Sequence, residues 1–125
     1  MGSNLKVLIG DDSILARKQL GDFIKTVSPD TEIDEAADGE EAVKKYREFH
    51  PDITFLDIVM PKMDGISAVR QIMEYDEDAD IVIVSSLGTQ SQLKAAIEAG
   101  AEDFVQKPFS YDQIRRVIKN HLRED

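Results

Sequence analysis

The chain of 125 residues contains no cysteine, and its charge is one-sided. Without cysteine it has no disulfide framework, no thiol nucleophile and no cysteine-ligated zinc, a composition that suits a reducing cytoplasm. Acidic residues outnumber basic residues by 25 to 15, which gives a formal net charge of -10. Because nucleic-acid affinity rests largely on cations that neutralise phosphates, we expect no nucleic-acid binding by this domain alone.

Long apolar runs are absent as well. No stretch approaches the roughly 20 consecutive apolar residues of a membrane helix, and residues 1–6 lack the apolar segment of a signal peptide. We therefore expect a cytoplasmic protein with no membrane association. The length predicts one domain with its own core, assigned to residues 5–125. Residues 1–4 are predicted to be a disordered start or a remnant of cloning.

Short apolar runs of strand length alternate with segments whose apolar residues recur at helical spacing. The predicted strands cover residues 5–10, 32–36, 53–56, 81–84 and 103–106. Glycine at position 100 suits the left-handed end of the fourth helix, and the fifth helix is expected from about Ser110. Five strand-helix units without repeats or linkers predict an α/β fold with a parallel sheet covered on both faces.

Chemically active side chains follow the predicted strands. Asp11 and Asp12 follow the first strand, and Asp57 follows the third. Ligands of an open parallel sheet gather outside the carboxyl ends of the strands, so these carboxylates are expected to converge on one crevice. Ser85 ends the fourth strand and Lys107 follows the fifth. This set of groups favours a metal and phosphoryl site over a surface charge cluster.

Four sequence elements follow one another along the chain: Asp11-Asp12-Ser13, residues 57–65, the Ser85 strand end and Lys107-Pro108-Phe109. In this order they resemble the receiver domain of two-component response regulators. Helix one, with Arg17 and Lys18, resembles the CheY-like members most. The resemblance covers essentially the whole chain. It implies a doubly wound, flavodoxin-like sheet of five parallel strands in the order 2-1-3-4-5, with five helices. It also implies phosphorylation of one aspartate and a requirement for Mg²⁺.

The resemblance assigns the phosphoacceptor role to Asp57, which would receive its phosphoryl group from a sensor histidine kinase, a phosphotransfer protein or a small phosphodonor. A carboxylate attacks a phosphate dianion poorly unless a cation neutralises charge nearby. Asp11 and Asp12, together with Asp57, offer the hard oxygen ligands that Mg²⁺ prefers. The family adds the backbone carbonyl of Val59 as a ligand. The ordinary interpretations are that Asp12 caps the first helix and that Asp57 is a loop acid.

Lys107 and Ser85 are interpreted as contacts of the phosphoryl oxygens. Lys107 would supply a compact positive charge, although most lysines are simply solvated. The family implies a cis peptide bond between Lys107 and Pro108. Ser85 would donate a hydrogen bond, with Ser86 as the competing choice. Phe104 occupies the position of the family's switch aromatic, for which core packing is the ordinary interpretation.

Phosphorylation adds charge and acceptor oxygens that can bias a two-state segment. The family places the output surface, which binds a downstream target protein, on the fourth helix, fifth strand and fifth helix. Its members here include Leu93, Phe104, Gln106 and Arg115.

Two apolar residues near the acceptor bear on how long the signal lasts. In the family, the side chains two positions after the acceptor and two after the switch hydroxyl flank the path of the hydrolytic water. Here they are Val59 and Leu87. Neither can orient a water molecule, so rapid resetting would call for a phosphatase.

Other functions remain open at this stage. A flavin- or nucleotide-binding domain of similar architecture would need a glycine- or hydroxyl-rich phosphate loop where residues 10–13 place acids. An aspartyl-phosphate phosphatase would carry a second acid two residues after its nucleophile, which Asp11 and Asp12 do not match. A degenerate receiver that acts only as a binding module is a third alternative. Among receivers, a free-standing chemotaxis regulator, a phosphorelay intermediate and a domain excised from a longer regulator look alike, and none is a conventional enzyme.

Overall fold

A computed structural model of the chain describes residues 5–86 and 88–122. The strands are β1 (Lys6–Gly10), β2 (Glu32–Ala36), β3 (Ile53–Leu56), β4 (Ile81–Ser85) and β5 (Asp103–Gln106). The helices are α1 (Ile14–Val27), α2 (Gly39–Phe49), α3 (Gly65–Tyr75), α4 (Gln90–Ala99) and α5 (Tyr111–Leu122). The predicted start at residues 1–4, Leu87 and the side chain of Leu122 lie outside this description. Among the described helices, none is long and apolar enough to cross a bilayer.

The five strands form one parallel sheet in the order β2-β1-β3-β4-β5. This confirms the predicted fold class and strand order. Boundaries differ by one residue at three places, of which one is the end of β4 at Ser85 instead of residue 84. β1 begins at Lys6, and α5 begins at Tyr111 because the Ser110 hydroxyl accepts the backbone N–H of Gln113 at 3.2 Å and caps the helix.

Two apolar cores lie on opposite faces of the sheet, because successive strand residues point to opposite sides. Leu8 belongs to the core beneath α2, α3 and α4, whereas its neighbours Val7 and Ile9 belong to the core beneath α1 and α5. The central strands are therefore apolar on both faces. The edge strand β2 instead exposes Glu32 and Glu35 to solvent.

The helix ends follow from local side-chain chemistry. The interpretation of Asp12 as the cap of α1 is wrong, since the Ser13 hydroxyl accepts the backbone N–H of Ala16 at 3.1 Å. Asp12 is thereby left available for another role. Gly100 ends α4 in the left-handed region with φ 119°, as the sequence predicts.

Helix α4 differs from the other helices in how little apolar surface it buries. Its helical pattern includes Leu93, Ala96 and Ile97, but only Ala96 is buried, whereas Leu93 and Ile97 are 42% and 49% exposed. The helical spacing of the apolar residues shows that they share one face of α4, but it does not show whether that face is buried. Most of this face lies outside the core. An apolar surface on α4 is the consequence.

A buried hydroxyl without a hydrogen bond predicts a stabilising substitution. Thr54 in β3 is fully buried, and its Oγ1 has no hydrogen-bond partner among the described residues. Burying an unpaired hydroxyl costs free energy, so Thr54→Val is expected to raise the free energy of unfolding by about 1 kcal/mol. Urea denaturation measures this change.

Thr31 offers a matched control, because it is 3% exposed and its Oγ1 donates to the carbonyl oxygen of Ser28 at 2.7 Å. Thr31→Val should therefore lower the free energy of unfolding by about 1 kcal/mol. A loss of similar size in Thr54→Val would show that the Thr54 hydroxyl has a bonding partner in solution.

Candidate functional site

Three carboxylates meet at the carboxyl ends of β1 and β3. One oxygen from each of Asp11, Asp12 and Asp57 lies within 4.8 Å of the others. Asp11 and Asp57 are 6% and 9% exposed, whereas Asp12 is open to solvent. The structure thus brings together the acids that the sequence places after neighbouring strands, with one of them accessible from outside.

Lys107, the residue after β5, completes this site. Its Nζ donates to Asp11 Oδ2 at 2.7 Å and to Asp57 Oδ2 at 3.1 Å, and its side chain is 22% exposed. The interpretation of Lys107 as an ordinary solvated lysine is therefore wrong. The peptide bond from Lys107 to Pro108 is cis, as the family resemblance implies.

Backbone and side-chain contacts fix the two buried acids. The Asp11 N–H donates to the Ala36 carbonyl at 3.0 Å, and Asp11 Oδ1 accepts the Ser13 N–H at 2.9 Å. The backbone of Asp57 lies against the start of α3, where a Cβ added to Gly65 would come within 2.0 Å of the Asp57 carbonyl oxygen. Glycine at position 65 is therefore required for this close approach.

The electrostatics of the site are unbalanced toward negative charge. Burial raises the pKa of Asp57 above its ordinary value of 3.8; the hydrogen bond and charge of Lys107 lower the pKa, while the charge of Asp11 adds to the increase. Burial lowers the pKa of Lys107, but its bonds to Asp11 and Asp57 outweigh burial, so that pKa is raised overall. One ammonium faces three carboxylates. The donor set of hard oxygens with excess negative charge fits a small divalent cation such as Mg²⁺.

Ser85 and Phe104 lie on neighbouring strands beside the acids. Ser85 is fully buried, its carbonyl accepts the Lys107 N–H at 2.8 Å, and the competing Ser86 is exposed. Phe104 is half-buried, pairs with Ile83 across the β4-β5 ladder and packs on the core beneath α4. Because Ile83 and Ser85 are two residues apart on one strand, Ser85 and Phe104 point to the same face of the sheet.

Val59 follows the acids in the β3-α3 loop, and its side chain is 59% exposed. An apolar residue is therefore open to solvent two positions after Asp57. Leu87, the second residue that the sequence places on the path of the hydrolytic water, lies outside the described residues.

Sequence reasoning missed the contacts of Arg17. Its Nη1 donates to the carbonyl oxygen of Asp11 at 2.6 Å, and its Nε donates to Glu35 Oε1 at 2.6 Å. These contacts join α1, the end of β1 and the edge strand β2. The only available signal is an arginine near the start of α1, and neither its rotamer nor its partner on β2 follows from the pattern.

Comparison with known proteins decides the family. A sequence model of the response regulator receiver domain matches residues 7–119. The chain belongs to the response regulator receiver domain family. CheY of Thermotoga maritima is 43% identical over 109 residues, which cover 87% of this chain and 90% of that protein. CheY of Listeria monocytogenes is 43% identical over 115 residues, which cover 92% and 96%. Both relatives are described as chemotaxis proteins.

Solved structures agree with this assignment. A chain in the crystal structure of the CheX-CheY-BeF3-Mg+2 complex from Borrelia burgdorferi is 39% identical, with a TM-score of 0.88 and coverage of 94% of this chain and 89% of that chain. The domain also matches part of a longer protein. A protein-glutamate methylesterase/protein-glutamine glutaminase from Caldanaerobacter subterraneus is 44% identical over 110 residues, which span 30% of its length. Membership of the receiver domain family argues against a flavin- or nucleotide-binding domain and against an aspartyl-phosphate phosphatase. Receiver domains are not conventional enzymes.

Proposed function

We propose that Asp57 accepts a phosphoryl group from a phosphohistidine of a sensor histidine kinase or phosphotransfer protein. The observation that carries this assignment is the place of Asp57 at the end of β3, the middle strand. On one side β1 supplies Asp11 and Asp12, and on the other β4 and β5 supply Ser85 and Lys107. An acceptor at this point has cation ligands on one flank and donors for phosphoryl oxygens on the other.

Asp11, Asp12, Asp57 and the backbone carbonyl of Val59 would hold Mg²⁺, which when bound neutralises charge on the transferring phosphoryl oxygens. An Asp57 carboxylate oxygen forms the new P–O bond as the P–N bond of the donor breaks. The electron pair of that bond stays on the leaving imidazole nitrogen. Lys107, already 3.1 Å from Asp57 Oδ2, is placed to donate to a phosphoryl oxygen without a large movement.

The same residues support a switch. The Ser85 hydroxyl would donate to a phosphoryl oxygen, and Phe104 would turn inward as Ser85 shifts, since both face the same side of the sheet. Helix α4 buries Ala96 but exposes Leu93 and Ile97, so little buried apolar surface opposes a shift of this helix. The output surface of α4, β5 and α5 would then bind a downstream target protein. This signalling would take place in the cytoplasm as part of chemotaxis. A phosphorelay intermediate or a receiver within a longer regulator uses the same chemistry.

Intact-mass spectrometry tests the proposed reaction directly. Incubation with acetyl phosphate and Mg²⁺ is expected to add one phosphoryl group per chain, and chelation of Mg²⁺ by EDTA should prevent the addition. Equal modification with and without EDTA would contradict the assignment of the three acids as a cation site.

The lifetime of the phosphorylated form provides a second test. The exposed, apolar side chain of Val59 cannot hydrogen-bond a water aligned opposite Asp57. Val59→Asn is therefore expected to speed the decay of the phosphoprotein several-fold, measured by the return to the unmodified mass. Ile97→Asn makes the same kind of change at an exposed position on α4 and should leave the decay unchanged. Decay of Val59→Asn no faster than wild type would remove the reason to propose a phosphatase as a partner.

A further inference from the structure

The peptide group between Asp11 and Asp12 is held from outside the cation site. Arg17 lies on the first turn of α1 with a side chain that is 13% exposed. Its Nη1 reaches the Asp11 carbonyl oxygen at 2.6 Å while its Nε reaches Glu35 Oε1 at 2.6 Å. Both contacts are short for N–H···O hydrogen bonds, as expected where the donor is charged.

Holding this carbonyl fixes the direction of the next residue. A peptide unit is planar, so its oxygen and the Cα of Asp12 cannot move independently. The carboxylate of Asp11 is already fixed through Ser13 and Lys107. Asp12 is exposed, so its position depends on the orientation of that peptide plane.

Glu35 anchors the guanidinium. It lies on β2 in register with Ile9 of β1, next to the strand end that leads into Asp11. The planar guanidinium donates in two fixed directions, and each contact therefore restricts the other. Arg17 thus connects the edge strand to the turn that carries two of the three acids.

We infer that Arg17, anchored by Glu35, is a positioning residue that orients Asp12 toward a divalent cation shared with Asp11 and Asp57. This rests on the proposed role of the three acids as Mg²⁺ ligands.

The charge of Arg17 and its positioning contact have opposite effects on Mg²⁺ affinity. A cation beside three carboxylates opposes the binding of another cation, so loss of the Arg17 charge alone would strengthen Mg²⁺ binding. Loss of its positioning contact weakens Mg²⁺ binding.

Isothermal titration calorimetry with Mg²⁺ on the unphosphorylated protein separates these effects. Arg17→Met is expected to weaken Mg²⁺ binding about tenfold, the usual size for a group that orients a metal ligand. Lys18→Met is the matched control. Lys18 is the next residue, its side chain is 71% exposed, and it contacts Asp22 at 3.4 Å, so its loss should leave Mg²⁺ affinity unchanged or slightly increased.

Two further variants keep the test decisive. Arg17→Lys retains the positive charge but lacks the planar guanidinium that donates in two fixed directions. Its Mg²⁺ affinity should lie between those of Arg17→Met and wild type. Glu35→Met removes the oxygen that accepts the Arg17 Nε–H hydrogen bond, and it should weaken Mg²⁺ binding less than Arg17→Met. If thermal melting shows that Arg17→Met is not folded at the titration temperature, these two variants carry the test, and wild-type Mg²⁺ affinity in both would overturn the inference.

The remaining outcomes are distinct. Mg²⁺ affinity in folded Arg17→Met equal to or above that of wild type would overturn the positioning role. An equal loss in Lys18→Met would also overturn it, because that residue does not contact the Asp11 carbonyl. Absence of Mg²⁺ binding in wild type would overturn the proposed function, and the role of Arg17 with it. If the wild-type chain binds Mg²⁺ and Arg17→Met binds it equally well, the role of Arg17 is overturned while the proposed function stands.

Discussion

The Asp57→Asn variant is expected to gain no phosphoryl group from acetyl phosphate and Mg²⁺ under conditions that modify the wild-type chain. The substitution keeps the size of the side chain but removes the anionic oxygen that would form the P–O bond. Asp12→Asn is the informative comparison, because it removes one proposed cation ligand and keeps the acceptor. It should still become modified, but only at higher Mg²⁺ concentration. Wild-type modification of Asp57→Asn, measured by intact mass, would assign the acceptor to another residue.

The same substitution is expected to stabilise the fold. Because burial raises the pKa of Asp57, this acid binds a proton more readily in the folded state than in the unfolded state. The stability contributed by Asp57 is fully present below its ordinary pKa of 3.8 and is lost as pH rises through the raised folded value. At pH 7, Asp57→Asn should therefore raise the free energy of unfolding by about 1 kcal/mol, a gain typical of replacing a destabilising site residue.

Urea denaturation at pH 7 and near pH 4 tests the sign of this effect. The advantage of Asp57→Asn over wild type should shrink as pH falls toward the ordinary pKa of the acid. A variant less stable than wild type at pH 7 would mean that the contact with Lys107 outweighs the cost of burying the carboxylate.

The fold was predictable because each central strand carries a local signal. Three consecutive apolar residues in β1, Val7, Leu8 and Ile9, require cover on both faces, and the helical spacing after each strand supplies it. Periodicity does not give the strand order, which came from the family resemblance. Nor does it show whether an apolar helix face is buried, and for this reason Leu93 and Ile97 on α4 lie outside the core.

The acids of the site were predictable for a topological reason. Parallel strands deliver the residues after their carboxyl ends to one edge, so Asp11 and Asp57 had to lie near each other once their strands were identified. Contacts that depend on a rotamer were not predictable. The contact of Arg17 with Glu35 depends on packing between residues distant in sequence, and so does the lack of a partner for the Thr54 hydroxyl among the residues that the structure describes.

Removal of the ammonium in Lys107→Ala is expected to lower the free energy of unfolding by about 2–3 kcal/mol at pH 7. Asp11 and Asp57 would then be buried without a compensating charge, which is costly, although the 22% exposure of the Lys107 side chain reduces the loss below that of a fully buried pair. Lys62→Ala is the control. Lys62 lies 3.8 Å from Asp38 with a side chain that is 64% exposed, so its removal should cost less than about 0.5 kcal/mol.

Two rescues identify the cause of the loss in Lys107→Ala. Mg²⁺ should restore stability, since lysine is not a cation ligand and its removal leaves the three acids in place. Adding Asp57→Asn should also restore stability, because only Asp11 would remain buried and unpaired. A loss that neither Mg²⁺ nor Asp57→Asn reverses would point to lost packing of the lysine side chain. In the phosphorylated state the same variant would lack the ammonium that we propose contacts the phosphoryl oxygens, so it should bind Mg²⁺ yet respond poorly to phosphorylation. Wild-type binding of a partner by phosphorylated Lys107→Ala would defeat that role.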